Sequence, residues 1–289
     1  MRIGRSSSRL DGSFVAALVM AAIAAAAGER EGPSTPVSAP SPAGPSFPSG
    51  SVRLSYALDL PPGPEPWPNT IAGNGPGPQT RDEAMSVKSR MTQAGFAVLR
   101  YDKRGVGDST GTYEGVGIAN SERMLGLLAD DMAAGVAFLR TRPEIDPNRI
   151  GLMGISQAGW IMPLAAARAP VRFMVLVVGP TVPVGIEIYY SDLAEGTTAS
   201  FDELSARLLE YRGPLGYDPR PTLERLDVPG LWLLGAQDRS IPTRETVAIL
   251  DELSGAGRPY RWIVYPNAGH FIPPDDYLAE ASAFARSFR

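Results

Sequence analysis

From Ser51 onward, short apolar runs of strand length alternate with longer stretches whose apolar residues recur every three or four positions. Val52, Leu54, Tyr56, Leu58 and Leu60 alternate with smaller or polar residues, the pattern of a half-exposed strand, and Pro61-Pro62-Gly63-Pro64 stops it. Thr70-Ile71-Ala72 predicts a second strand, short enough to be a stub, ahead of the glycine-rich loop Gly73 to Pro78. Arg81 to Gln93 reads as a helix and Phe96 to Arg100 as a strand. Leu125, Leu128, Met132, Val136 and Leu139 then form one stripe along residues 120–140, as on a helix laid against a sheet. Ile150 to Ile155 predicts a strand, Gln157 to Ala167 a helix, and Phe173 to Val178 a buried strand. Leu231 to Leu234, Thr243 to Leu253, Tyr260 to Tyr265 and Asp275 to Phe288 repeat the strand–helix alternation to the end of the chain. Such alternation implies a doubly wound, mostly parallel α/β sheet.

Three stretches break the rhythm. Residues 1–27 combine Arg2, Arg5 and Arg9 with the apolar run Phe14 to Ala27, which closes on small alanines, the layout of a cleavable export signal. The run is too short to span a bilayer comfortably, so the expectation is a periplasmic or secreted protein with no stable membrane insertion after cleavage. Residues 28–50 are dominated by Pro, Ser and Gly, too poor in apolar side chains to offset the entropy of ordering, and read as a disordered linker. Residues 51–289 are long enough for one large α/β domain and short for two. Within it, residues 182–218 interrupt the alternation with a polar run after Tyr189 and Tyr190 and an amphipathic helix over Phe201 to Tyr211. An insertion there lies over the carboxyl ends of the strands and predicts a small cap on a substrate pocket.

Composition narrows the chemistry. The formal net charge is −4 and there is no basic run, which argues against nucleic acid or an anionic membrane surface as partner. The absence of cysteine excludes disulfides, thiolate metal sites and a cysteine nucleophile. No clustered His or Cys and no dinucleotide-binding glycine motif after a strand point to a cofactor, so none is expected. The sequence does not speak to oligomeric state.

The chemistry concentrates at Arg149 to Trp160. Gly154-Ile155-Ser156 falls where a strand turns into a helix, the geometry of a nucleophile elbow, although Ala158 stands where a G-x-S-x-G motif would have its last glycine. A Gly-x-Ser triplet is expected about once by chance in a chain of this length, so partners are required. Asp238 follows one later strand within Gly235-Ala236-Gln237-Asp238, and His270, the sole histidine, follows the next within Asn267-Ala268-Gly269-His270. Loops after the carboxyl ends of a parallel sheet gather on one edge, and the chain order Ser, Asp, His is that of a triad built on such a sheet. Asp102 and Arg104 read instead as loop ties.

The stretches Arg100 to Gly111, Ile145 to Gln157, Leu234 to Asp238 and Gly269-His270-Phe271 together resemble the bacterial α/β-hydrolase fold family, particularly exported carboxylesterases similar to the serine aminopeptidase and dienelactone hydrolase-like branch. The resemblance implies Ser156 as nucleophile, His270 as base, Asp238 as orienting acid, and oxyanion donors from the backbones of Gln157 and Asn74. The family's histidine before the oxyanion loop is absent here, with Gly73-Asn74 in its place. The expected reaction is cleavage of small esters of short acyl chains through an acyl-enzyme. A peptidase or amidase with the same triad, and an exported binding domain whose oxyanion hole is spoiled by the short strand, are the alternatives. Trp160, Tyr189, Tyr190, Trp232 and Phe271 are candidates to line an acyl pocket.

Overall fold

The computed structural model describes residues 44–288 apart from Asn74; the expected export signal and most of the expected linker lie outside the described residues. Eight strands form one sheet: β1 (Ser46–Ser49), β2 (Val52–Asp59), β3 (Trp67–Gly73), β4 (Ala97–Tyr101), β5 (Ile145–Ile155), β6 (Met174–Val177), β7 (Gly230–Gly235) and β8 (Tyr260–Tyr265). Their order is β1-β2-β4-β3-β5-β6-β7-β8. β1 and β2 pair antiparallel with their neighbours and all later pairs are parallel, the expected doubly wound α/β architecture.

Helices cover both faces. α1 (Met85–Gln93), α2 (Ser121–Leu139), α3 (Ala158–Arg168), the short α6 (Arg220–Leu223), α7 (Thr243–Gly255) and α8 (Pro274–Arg286) connect or follow the strands. The stripe on α2 is buried as its spacing predicts, Leu125, Met132, Val136 and Leu139 being almost wholly covered against β1, β3 and β5. On the opposite face Phe96, Phe173, Leu233 and Tyr277 form a second core under α1 and α8. Among the described residues no helix is long and apolar enough to cross a membrane.

Three expectations need correction. The linker ends earlier than residue 50, because Ser46–Ser49 adds an edge strand to β2. Phe47 is responsible: it is fully buried and packs on Tyr101 and Phe138 at centroid distances of 5.8 and 5.4 Å, contributing about 1.5–3 kcal/mol that a Pro/Ser/Gly tract otherwise lacks.

The stub at Thr70 is in fact the seven-residue central strand β3, paired with both β4 and β5. Pro68 disguised it, since proline removes a ladder donor, but it falls where the register with β5 shifts between Trp67 and Asn69, a bulge that tolerates it. The basis for a spoiled oxyanion hole is therefore gone.

The start of the cap, ahead of most of its polar run, is also helical. α4 (Val184–Ala194) precedes α5 (Phe201–Leu209), and Tyr190, Ala194, Leu204 and Leu208 make a small core of their own between them. Ser200 caps α5, its hydroxyl accepting from the Glu203 N–H while the Glu203 carboxylate accepts from the Ser200 N–H.

Candidate active site

Ser156 stands between β5 and α3 with φ of 55°, a conformation that costs a non-glycine residue on the order of 1–3 kcal/mol. Backbone bonds hold it there: its N–H donates to Val177 at 2.9 Å and its carbonyl accepts from Gly159 at 2.8 Å. Gly154 lets the helix close on the strand, since a Cβ there would lie 2.4 Å from the Ala158 Cβ and 2.8 Å from the Met162 sulfur. Ala158 opens α3 with a negative φ, so the missing fifth-position glycine is not required. The turn is the sharp strand-to-helix elbow read from the sequence.

The remaining two residues are brought together by adjacent strands. β7 and β8 are parallel with Gly235 opposite Tyr265, so the loops that follow leave side by side. A Cβ on Gly235 would sit 2.2 Å from the Gly269 carbonyl oxygen, and only glycine lets the second loop fold over the end of β7. Gln237 N–H then donates to the Ala268 carbonyl at 2.8 Å, and His270 Nδ1 comes to 3.0 Å from Asp238 Oδ2.

Asp238 is 1% exposed, and its other carboxylate oxygen accepts from the N–H groups of Ser240 and Ile241, both at 2.8 Å. The carboxylate is thus fixed before it meets the imidazole. With Nδ1–H committed to Asp238, Nε2 is the nitrogen left to accept a proton.

Ser156 lies at the carboxyl end of β5, on the same sheet edge, with β6 between it and β7. Its hydroxyl makes no hydrogen bond to a described residue, His270 included; such bonds often tighten only when substrate closes the site. Gln157 N–H has no acceptor among the described residues, as expected of the first turn of a helix, and is open to a developing oxyanion. Asn74 lies outside the described residues. Its neighbour Gly73 pairs with Gly154, so the loop leaving β3 starts beside the elbow.

Asp102 and Asp108 are engaged elsewhere. Asp102 accepts from the Arg81 N–H and guanidinium and from the Asp108 N–H, and Arg81 also grips Asp108. Arg104 forks onto Asp131 at 2.8 and 2.7 Å. These are the loop ties read from the sequence. Of the aromatic candidates, Trp232 belongs to the sheet core, Trp160 is buried with its indole N–H on the Val182 carbonyl, and Tyr189 packs on Tyr211. Phe271 is exposed beside His270, and Tyr190 donates its hydroxyl to the Asp238 carbonyl at 2.8 Å, docking the cap on the acid's loop.

The sequence offered His270 as the one group titrating near neutral pH, and burial adds two more. Glu187 sits on α4 three residues before Tyr190, on the helix face that reaches Asp238. Desolvation pushes its carboxyl up to about 8, opposed by His270 and reinforced by Asp238 and Asp192. Lys103, after β4, is pushed down to about 7 by desolvation. Neither was assigned a role from sequence. The available signal was a lysine two residues beyond a buried strand, on the edge where the loops after the strands gather.

For His270 itself, burial disfavours the imidazolium, but the charge and hydrogen bond of Asp238, joined by Glu187 where it is ionised, outweigh it and hold the pKa above 6.5. A general base must be neutral, so the acid limb of kcat/KM is expected to have its midpoint above pH 6.5. With its own carboxyl pushed up to about 8, Glu187 is mostly protonated through that limb, so Glu187→Gln should leave the limb in place. A pH–rate profile of the two proteins checks this, and a limb moved to lower pH would show that Glu187 is ionised beside His270.

Acyl-coenzyme A thioesterase 1 of Rattus norvegicus is 27% identical over 240 residues, covering 77% of this chain and 52% of its own length; the chain thus spans about half the length of this relative. The fold is shared with the Pyrococcus furiosus esterase at 16% identity and a TM-score of 0.61, over 84% of this chain and 89% of that one. It is likewise shared with proline iminopeptidase of Mycobacterium smegmatis at 15% identity and a TM-score of 0.63, over 84% and 98% of the respective chains. Residues 83–288, from the helix before β4 through β5, the elbow and the loops after β7 and β8, match the prolyl oligopeptidase family, and the chain belongs to that family of α/β-fold hydrolases.

Proposed function

We propose that this protein is a serine esterase that cleaves small carboxylic esters of short acyl chains through an acyl-enzyme. The observation that carries the reading is the Asp238–His270 pair at 3.0 Å on the sheet edge where Ser156 occupies a strained elbow. Ser156 Oγ attacks the ester carbonyl while His270 Nε2 takes its proton, and Asp238 stabilises the imidazolium through Nδ1–H. The oxyanion accepts from Gln157 N–H and from the loop after β3. His270 returns the proton to the leaving alkoxide. Water, deprotonated by the same imidazole, then releases the acid.

The small cap favours short acyl groups. It consists of two helices, and Tyr190 ties it to the Asp238 loop while Arg239 donates to the Ala199 carbonyl at 3.0 Å and lies over the Phe201 ring. A cap held this close leaves little depth for a chain, and each CH₂ adds about 0.8 kcal/mol of binding only while there is pocket to receive it. With p-nitrophenyl esters, kcat/KM is expected to peak at acetyl to butyryl and to fall beyond. A steady rise to long acyl chains would contradict the proposal.

The family match favours a second reading, hydrolysis of peptide or amide bonds by the same three residues. A matched aminoacyl p-nitroanilide separates the two. Faster turnover of the anilide than of the ester would replace the esterase reading with this one.

A further inference from the structure

Lys103 is 3% exposed, an unusual place for an ammonium, which loses its hydration on burial and persists only where acceptors replace the water. Its surroundings supply them. Nζ donates to the carbonyl oxygens of Gly75 at 2.5 Å and Gly77 at 3.0 Å and to the side-chain oxygen of Gln157 at 3.2 Å. Three acceptors meet the three N–H bonds of the ammonium and favour the protonated form against the desolvation that lowers its pKa. The Tyr113 ring lies under the same charge with its centroid 5.7 Å from Nζ, and the Tyr113 hydroxyl in turn meets the Gly77 backbone.

The topology gives these contacts their meaning. In the order β4-β3-β5, Lys103 leaves the carboxyl end of β4, the 75–77 loop leaves β3, and Gln157 begins the turn after β5. One side chain therefore spans three strand ends and joins two segments that share no ladder there. Its own N–H donates to the Gln79 carbonyl at 3.1 Å and holds the far end of the same loop. The two segments it joins are those that supply the oxyanion donors in the esterase reading, on which this inference rests.

We propose that Lys103 is a positioning residue that clamps the loop after β3 to the nucleophile elbow and so sets the width of the oxyanion hole. A saturated ammonium does not bind substrate. It acts through the loop and through Gln157, whose backbone N–H must lie at hydrogen-bond distance from the oxyanion rather than from the ground-state carbonyl. Loss of the clamp should therefore be felt in the transition state more than in substrate binding.

Lys103→Met keeps the apolar stem and removes the charge and all three donors. Loss of one oxyanion donor costs about 10²–10³ in kcat, and loosening the hole should approach the lower figure. The expected result is a fall in kcat toward 10²-fold with KM little changed. A trifluoromethyl ketone, which forms a tetrahedral alkoxide on the serine, should weaken by the same factor as kcat/KM. Hydrogen exchange should quicken in the peptide covering residues 75–79 and stay as in wild type over β6 to β8, which general destabilisation would also loosen. A rise in KM at unchanged kcat, unchanged affinity for the ketone, or unchanged exchange in the loop would overturn the proposal. Should Lys103→Met fail to fold, Lys103→Gln, which retains a polar end without the charge, carries the same readouts. Absence of wild-type turnover on every ester would overturn the esterase reading alone, because the exchange comparison tests the clamp without it.

Discussion

Ser156→Ala is expected to lower kcat on p-nitrophenyl esters by roughly 10⁴- to 10⁶-fold while leaving the melting temperature unchanged. The two halves of this prediction have separate causes. The Ser156 hydroxyl makes no hydrogen bond to a described residue, so its removal strands no buried partner among them, and the backbone bonds to Val177 and Gly159 that hold the elbow do not involve the side chain. Alanine tolerates a φ of 55° no worse than serine. The chemistry has no substitute, because the chain contains no cysteine and no second hydroxyl has been placed at an elbow. Labelling by a fluorophosphonate probe should vanish in the variant. Labelling at the wild-type rate would place the nucleophile elsewhere.

His270→Ala should cost about as much as Ser156→Ala, since members of a triad act as a unit and removing one forfeits most of what the set achieves. Asp238→Asn should cost roughly 10⁴-fold near neutral pH through a different cause. An amide facing Nδ1 donates rather than accepts, so the imidazole turns its one proton to Nε2 and can no longer take the serine's. Asparagine still leaves an oxygen to accept from Ser240 and Ile241, so the loop should stay folded. Asp238→Ala leaves those two N–H groups without their acceptor at about 1–3 kcal/mol each and should lower the melting temperature as well. The decisive measurement is the double variant of His270→Ala with Asp238→Ala. Losses that saturate at the level of His270→Ala fit one relay; losses that multiply would show that Asp238 is not the acid.

Much of the site was legible because strand ends in a parallel sheet converge by topology. Ser156, Asp238 and His270 each lie at or within a few residues of the end of an apolar run, so their shared edge could be deduced without knowing any distance. The elbow at Gly154 was legible for the same local reason, since a strand pattern runs into a helix pattern with a glycine at the turn. What local pattern rules misjudged were places where tertiary packing outweighs composition. Pro68 made β3 look like a stub although two neighbours hold it, and Phe47 turned the end of a Pro/Ser/Gly tract into a strand. The α4 helix was hidden because its apolar residues face both the cap core and the main core, which blurs a single stripe.

By itself, the sequence determined the alternation of strands and helices, the sheet class, the order and sheet-edge placement of the candidate residues Ser156, Asp238 and His270, and the exclusion of thiol chemistry. These depend on chain-local pattern and residue identity, which folding does not alter. Only the tertiary structure decided which groups desolvation shifts toward neutrality and what holds the loop after β3. Nothing local marks Glu187 in the sequence, and the place of Lys103 just past a strand says nothing of its contacts. Their altered pKa values come from desolvation, a property of everything packed around them, and the reach of Lys103 across three strand ends exists only because β3 lies between β4 and β5.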